Sequence, residues 1–207
     1  MVIYRNPEIN YRTLPERLLH PDLPDNIIAA YQKVHEPNVQ GKKEFVENIS
    51  GGTFVKKMAG LYLGVENLNV VTKKHEKPRA YHGEKEISIS FSHTNLAISA
   101  AVSSTYIVGC DMESASRKVH ARLHNRIKQK EEADSLYKSN DLIRIWTLKE
   151  AALKMIGTGL RKPMNCVRIE QNSEALFFVL FNDGKRAEIC SFKHQDYWIS
   201  VCYHKQP

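Results

Sequence analysis

Long apolar runs are missing from this 207-residue chain. The longest clean one, Ala175-Leu-Phe-Phe-Val-Leu-Phe181, has seven residues, far short of the ~20 that a membrane-spanning helix needs. The opening Met1-Val-Ile-Tyr-Arg-Asn-Pro7 lacks the apolar stretch of an export signal. Ten glycines and eight prolines are too few for a collagen or a low-complexity chain. The four cysteines, Cys110, Cys166, Cys190 and Cys202, show no C-x-x-C spacing. Without an export signal, and with three of them among apolar residues, they read as small core hydrophobes rather than bridges. G-x-S-x-G, Walker and G-x-G-x-x-G patterns are all absent, which removes the commonest hydrolase and nucleotide-loop signatures. The expectation is a soluble, cytoplasmic protein of one domain, or of two halves sharing a core.

What is present supports a core. Apolar residues make up 42% and charged residues 26% of the chain, which excludes global disorder. Thirty basic against twenty-three acidic residues leave +7, and most of the excess lies after Ser103. Arg117, Lys118, Arg122, Arg126, Lys128 and Lys130 form a block with no acid before Glu131. Such a block either attracts an anionic partner or forms a solvated helix face. No aromatic interrupts it, so the stacking platforms of single-strand nucleic-acid binders are missing there. His120 and His124 are one helical turn apart, but no Cys or carboxylate beside them completes a tetrahedral metal set.

Prolines at 7, 15, 21 and 24 predict an extended, irregular start. Asp25 is placed to cap a short helix running to about His35, with Ile27, Ile28 and Tyr31 at helical spacing. A polar connector over 36–41 leads to Lys42 and Lys43. Thr53 to Leu63 reads as a helix with Phe54, Met58, Leu61 and Tyr62 on one side and Gly64 as its stop. Leu68–Thr72 suits a strand. Ile87-Ser-Ile-Ser-Phe-Ser92 alternates, with three serines on one face. Asn95–Val102 follows as a strand, and Ser103-Ser-Thr-Tyr106 suggests a hairpin into a further strand from Ile107 to Met112. A basic helix is expected from Ser116 to Tyr137 and a stronger one from Asp141 to Ile156, ended by Gly157-Thr-Gly159. The remainder, from Cys166 to Tyr203, suits an antiparallel meander with a turn at Asn182-Asp183-Gly184. Mixed helices and antiparallel strands give an α+β class.

Three short segments carry chemistry. On the Ile107–Met112 strand and its continuation, Gly109, Asp111 and Glu113 share one face. Residues i and i+2 there have Cα atoms roughly 6.5–7 Å apart, so the two acids either converge on one hard cation or begin a surface loop. Oxygen ligands with open positions suit Mg²⁺, and Gly109 would leave the face open to a ligand. In Trp146-Thr-Leu-Lys-Glu-Ala-Ala-Leu-Lys154, Glu150 and Lys154 lie one turn apart, as an ordinary ion pair or as a ligand and a phosphate-neutralising cation. Ser92-His93-Thr94 offers hydroxyl and imidazole donors at a strand end, suited to an anion.

Taken together, Phe91-Ser92-His93-Thr94, Val108-Gly109-Cys110-Asp111-Met112-Glu113 and Trp146-Thr-Leu-Lys149-Glu150-Ala-Ala-Leu-Lys154 resemble the 4′-phosphopantetheinyl transferases of the surfactin-synthetase-activating (Sfp) type. The three motifs occur in the family's order over about residues 73–165. The resemblance implies a pseudo-twofold pair of α+β halves, here 1–103 and 104–207, with coenzyme A in the cleft. It implies Mg²⁺-dependent transfer of the phosphopantetheine arm to a serine of an apo carrier protein of fatty-acid, polyketide or nonribosomal-peptide assembly, releasing adenosine 3′,5′-bisphosphate. Asp111, Glu113 and Glu150 would hold Mg²⁺. Lys154 would contact phosphate, as would Ser92, His93 and Lys77, and more loosely Lys42, Lys43 and Thr53. Glu150, or a carboxylate acting through a metal-bound water, would take the serine proton. Glu132 falls where the family often has an acid. Carrier proteins in this system are typically acidic, which gives the Arg117–Lys130 block a partner. The chain would act as a monomer, with no nucleic acid or membrane partner. Ser90, Thr94 and Cys110 depart from the family pattern, and Ile127-Lys128 stands where an aromatic pair is common. A different Mg²⁺ phosphohydrolase or nuclease, a nucleic-acid-binding module using the basic helix, and a catalytically inactive transferase-like protein remain the alternatives.

Overall fold

Burial on both faces of the central strands decides how the layers stack. The computed structural model describes residues 14–33, 43–73, 76–120 and 122–206. Strands β1 (Glu16–Leu18), β2 (Ile28–Lys33), β3 (Asn69–Val71), β4 (Arg79–His82), β5 (Lys85–His93) and β6 (Ala97–Ser103) form one antiparallel sheet. Its order is β1-β2-β6-β5-β4-β3. Strands β7 (Tyr106–Ser114), β8 (Val167–Gln171), β9 (Leu176–Phe181), β10 (Arg186–His194) and β11 (Tyr197–Lys205) form a second, ordered β7-β11-β10-β9-β8. The helices are α1 (Lys43–Leu63), α2 (Arg122–Ile127), α3 (Asp134–Ser139) and α4 (Leu142–Met155).

Three apolar cores separate four layers. Ile28, Ala30, Ile89, Ile98 and Ala100 pack with Phe54, Val55 and Met58 of α1. Ala29, Tyr31 and Ala101 from the other face of the same sheet meet Val108, Cys110, Met112 and Ile199 of the second. The outer face of the second sheet packs Ile169, Phe177 and Ile189 against Leu148, Ala152 and Met155 of α4. Each half is thus an antiparallel sheet with a long helix on its outside, and the expected α+β class with two similar halves holds.

Several local expectations change. The predicted helix from Asp25 is β2 instead, as far as Lys33. Ile28 to Tyr31 are buried on both faces, and a short run apolar on both sides carries no period that separates helix from strand. Helix α1 begins ten residues before Thr53, while Gly64, at φ +66°, ends it as expected. Its covered face includes Val55 and Ala59, whereas Leu61 is 48% exposed. The Ser103–Tyr106 turn is not a hairpin: β6 pairs with β2 and β5, and β7 with β11, so the chain changes sheets there. The basic helix is two short helices, α2 and α3, with an irregular stretch before them. The meander after Cys166 is β8 to β11, and its Asn182-Asp183-Gly184 turn joins β9 to β10. The buried thiols of Cys110, Cys190 and Cys202 are free.

Candidate active site

Strand β7 turns Val108, Cys110 and Met112 into the core between the sheets and the alternate residues toward α4. Gly109 allows that helix its close approach. A Cβ at 109 would overlap the Ala151 carbonyl oxygen and the Met155 backbone. The expected opening for a ligand at Gly109 is therefore filled by α4, because the missing side chain is what lets helix and strand backbones touch. This contact brings Glu150 and Lys154 to the next acids along β7.

Asp111 is buried. Its Oδ1 accepts from Lys154 Nζ at 2.7 Å and from the Ser92 hydroxyl at 2.8 Å, while its buried Oδ2 has no partner. Glu150 lies 3.9 Å from Lys154, beyond hydrogen-bond reach. Glu113 is ion-paired with Arg117, whose guanidinium lies 5.8 Å from the centre of the Trp146 ring. Burial opposes the charge on Lys154, but Asp111 and Glu150 more than offset this and hold the ammonium above its ordinary pKa. Burial first, and then the charge of Asp111, push Glu150 up to about 7; Lys154 opposes this and Glu113 adds to it. Burial also raises Glu113, with Arg117 pulling the other way and Asp111 adding to the rise.

The charge of Asp111 thus reaches both Glu113 and Glu150. Among the described residues no three His, Cys, Asp or Glu side chains form a ready-made metal-holding group; Lys154 is paired with Asp111 and Arg117 with Glu113. A buried carboxylate oxygen with no partner costs at least about 1–3 kcal/mol. A divalent cation would supply that partner, and an all-oxygen donor set with open positions matches Mg²⁺. On these observations the residues fit the ion.

Other expected contacts fall differently. Ser92 commits its one O–H to Asp111, so it cannot also donate to a phosphate in this arrangement. Lys77 donates to the carbonyls of Val108 at 2.8 Å and Met155 at 3.0 Å, joining β7 to the end of α4. Burial lowers its pKa to about 8. His93 is the exposed end of β5, and Thr53 is exposed on α1. Lys42 and the side chain of Lys43 lie outside the described residues. His124 sets its ring edge-on to Tyr137, with centroids 4.6 Å apart. In the basic block, Arg117, Lys118, Arg122, Arg126 and Lys130 are exposed.

Glu132 and Lys149 form a second pair, fully buried at 2.6 Å. In the sequence Glu132 stands out only by its position and Lys149 only as one residue of the Trp146–Lys154 motif. Lys149 does leave a trace in the sequence: it falls on the stripe of Ile145, Ala152 and Leu153, where a lysine requires a buried acid.

A family model described as the 4′-phosphopantetheinyl transferase superfamily matches residues 107–202, from β7 into β11. A 4′-phosphopantetheinyl transferase (gsp) of Aneurinibacillus migulanus is 22% identical over 171 residues, covering 77% of this chain and 69% of that protein. Motifs and comparisons agree in likening this chain to the 4′-phosphopantetheinyl transferase superfamily, with the family match in its second half.

Proposed function

We propose that the protein moves the 4′-phosphopantetheine arm of coenzyme A onto a serine hydroxyl of an apo carrier protein, with Mg²⁺, releasing adenosine 3′,5′-bisphosphate. The observation that carries this reading is the stranded, buried Oδ2 of Asp111, with Lys154 on the other oxygen of the same carboxylate. Asp111, Glu113 and Glu150 would hold the cation, which supplies charge neutralisation on the pyrophosphate when bound. The serine oxygen forms a bond to the phosphorus that bears the pantetheine arm. The bond from that phosphorus to the bridging oxygen breaks, and the nucleotide leaves with the electron pair.

Transfer of this kind depends on positioning and charge compensation more than on covalent catalysis. Lys154, anchored on Asp111, places an ammonium beside the departing phosphate. Glu150, unlike Asp111 and Glu113, has no cationic side chain within hydrogen-bond reach, and it would take the serine proton. His93, at the exposed end of β5, and Lys77, with one N–H beyond its two carbonyl bonds, would meet the nucleotide-side phosphates. Thr53, Lys42 and Lys43 would contribute from the first half. The exposed arginines and lysines of 117–130 would dock an acidic carrier and speed a salt-sensitive encounter.

The test is mass spectrometry of an apo carrier incubated with the protein, coenzyme A and Mg²⁺. A gain of one phosphopantetheine arm is expected. No product across fatty-acid, polyketide and peptidyl carriers would overturn the assignment.

A further inference from the structure

A ladder of serines joins the two sheets. Ser88, Ser90 and Ser92 alternate along one face of β5 and meet the edge of β7 that has no neighbouring strand. Ser88 Oγ accepts from the Val108 N–H at 3.0 Å, and Ser90 Oγ accepts from the Cys110 N–H at 2.8 Å. Ser92 departs from this pattern. Its hydroxyl donates at 2.8 Å to Oδ1 of the Asp111 side chain, the oxygen that also receives Lys154 at 2.7 Å. With both donors on Oδ1, the carboxylate is fixed about its axis and Oδ2 is left without a partner.

We propose that Ser92 is a positioning residue for the cation site: it sets the orientation of Asp111 so that Oδ2 is the oxygen presented to the divalent ion. Lys154 alone cannot fix that orientation. Its ammonium ends a flexible stem and also faces Glu150 at 3.9 Å and the Phe91 carbonyl at 3.5 Å, whereas Ser92 stands on a strand. Because β5 belongs to the first sheet and Asp111 to the second, cation affinity then depends on how the halves are seated. The inference rests on the reading of Asp111 as a cation ligand. Outer hydrogen bonds that orient a metal ligand typically contribute 10–100-fold to affinity.

Mn²⁺ binding to the intact chain, read from the electron paramagnetic resonance of the free ion, tests this. Ser92→Ala should weaken Mn²⁺ by about tenfold or more. Ser90→Ala, which removes an acceptor from the same ladder, should lower Tm yet leave Mn²⁺ affinity within about twofold, since it touches no ligand side chain. Ser92→Cys, nearly the same size with a weak donor, should fall between Ser92→Ala and the parent chain, and it serves if Ser92→Ala does not fold. The role is overturned if Ser92→Ala and Ser92→Cys bind normally, or if Ser90→Ala loses as much affinity as Ser92→Ala. If the parent chain binds Mn²⁺ and Asp111→Asn does not, while both Ser92 variants are normal, the Ser92 role alone fails. If the parent chain does not bind Mn²⁺, the ligand reading fails with it.

Discussion

Helix α4 carries two lysines five residues apart, each facing a carboxylate, and they are built in opposite ways. Lys149 and Glu132 are fully buried. Glu132 Oε1 accepts from Lys149 and from the Ile169 N–H, and Oε2 accepts from the Gln129 N–H and the Tyr137 hydroxyl. Lys149 also reaches the Val167 carbonyl. Every strong acceptor there is used, and the pair ties the stretch after α2 to α4 and to the edge of β8. Lys154 and Asp111 share the same chemistry, but one carboxylate oxygen is left unused and the lysine remains 24% exposed. A closed pair holds the structure together; an open one is available for a ligand.

The largest expected effect tests the closed pair. Glu132→Gln leaves Lys149 buried without its counter-charge and should destabilise the protein by about 3–5 kcal/mol. Calorimetry should show Tm lower by about 6–20 °C in a chain of this size. Glu132→Leu combined with Lys149→Met should recover only part of the loss: it removes the stranded charge, but it leaves the Ile169 and Gln129 amides and the Tyr137 hydroxyl without their acceptor. A drop of under about 1 kcal/mol in the single variant would make the pair no different from a surface one.

Next in size is the open pair, in which the loss should fall on activity. Asp111→Asn keeps the shape but removes the charge of the proposed cation ligand. It should slow transfer by about 10²–10³-fold, roughly 3–4 kcal/mol of barrier, and should move Tm less than Glu132→Gln does. A near-normal rate at saturating Mg²⁺ would break the distinction between the pairs. The smallest effect concerns the basic surface on α2, ahead of the segment that Glu132 anchors. Reversing Arg122 and Arg126 to Glu should raise KM for the carrier about tenfold, near 1.4 kcal/mol, with little change in KM for coenzyme A. Equal changes in both would remove docking as the role of this surface.

Much of the site could be read from spacing. Period-2 alternation put Asp111 and Glu113 on one face of β7, and the helical turn put Glu150 beside Lys154. Sequence could not show that the serine face of β5 meets backbone N–H groups of another sheet, because it fixes which residues share a face but not what that face touches. Gly109 is ambiguous in sequence for the same reason: space at a glycine can serve a ligand or a helix, and here α4 occupies it. The helix expected from Asp25 failed because β2 is covered by one sheet-helix core and one sheet-sheet core, which erases the polar side that marks a strand. Glu132 and Lys149 are seventeen residues apart, and their meeting depends on the irregular stretch between α2 and α3, which no periodicity describes.

The serine ladder bears on how far the protein can be taken apart. Hydroxyls of Ser88 and Ser90, with the ammonium of Lys77, stand where a neighbouring strand would otherwise bind β7. A fragment made of the second sheet alone would bare the Val108 and Cys110 amides and the Val108 carbonyl, and a naked strand margin is a template on which another chain can add. The two sheets use separate stretches of sequence, yet the second is not a self-sufficient module, since the first shields it from uncontrolled strand addition.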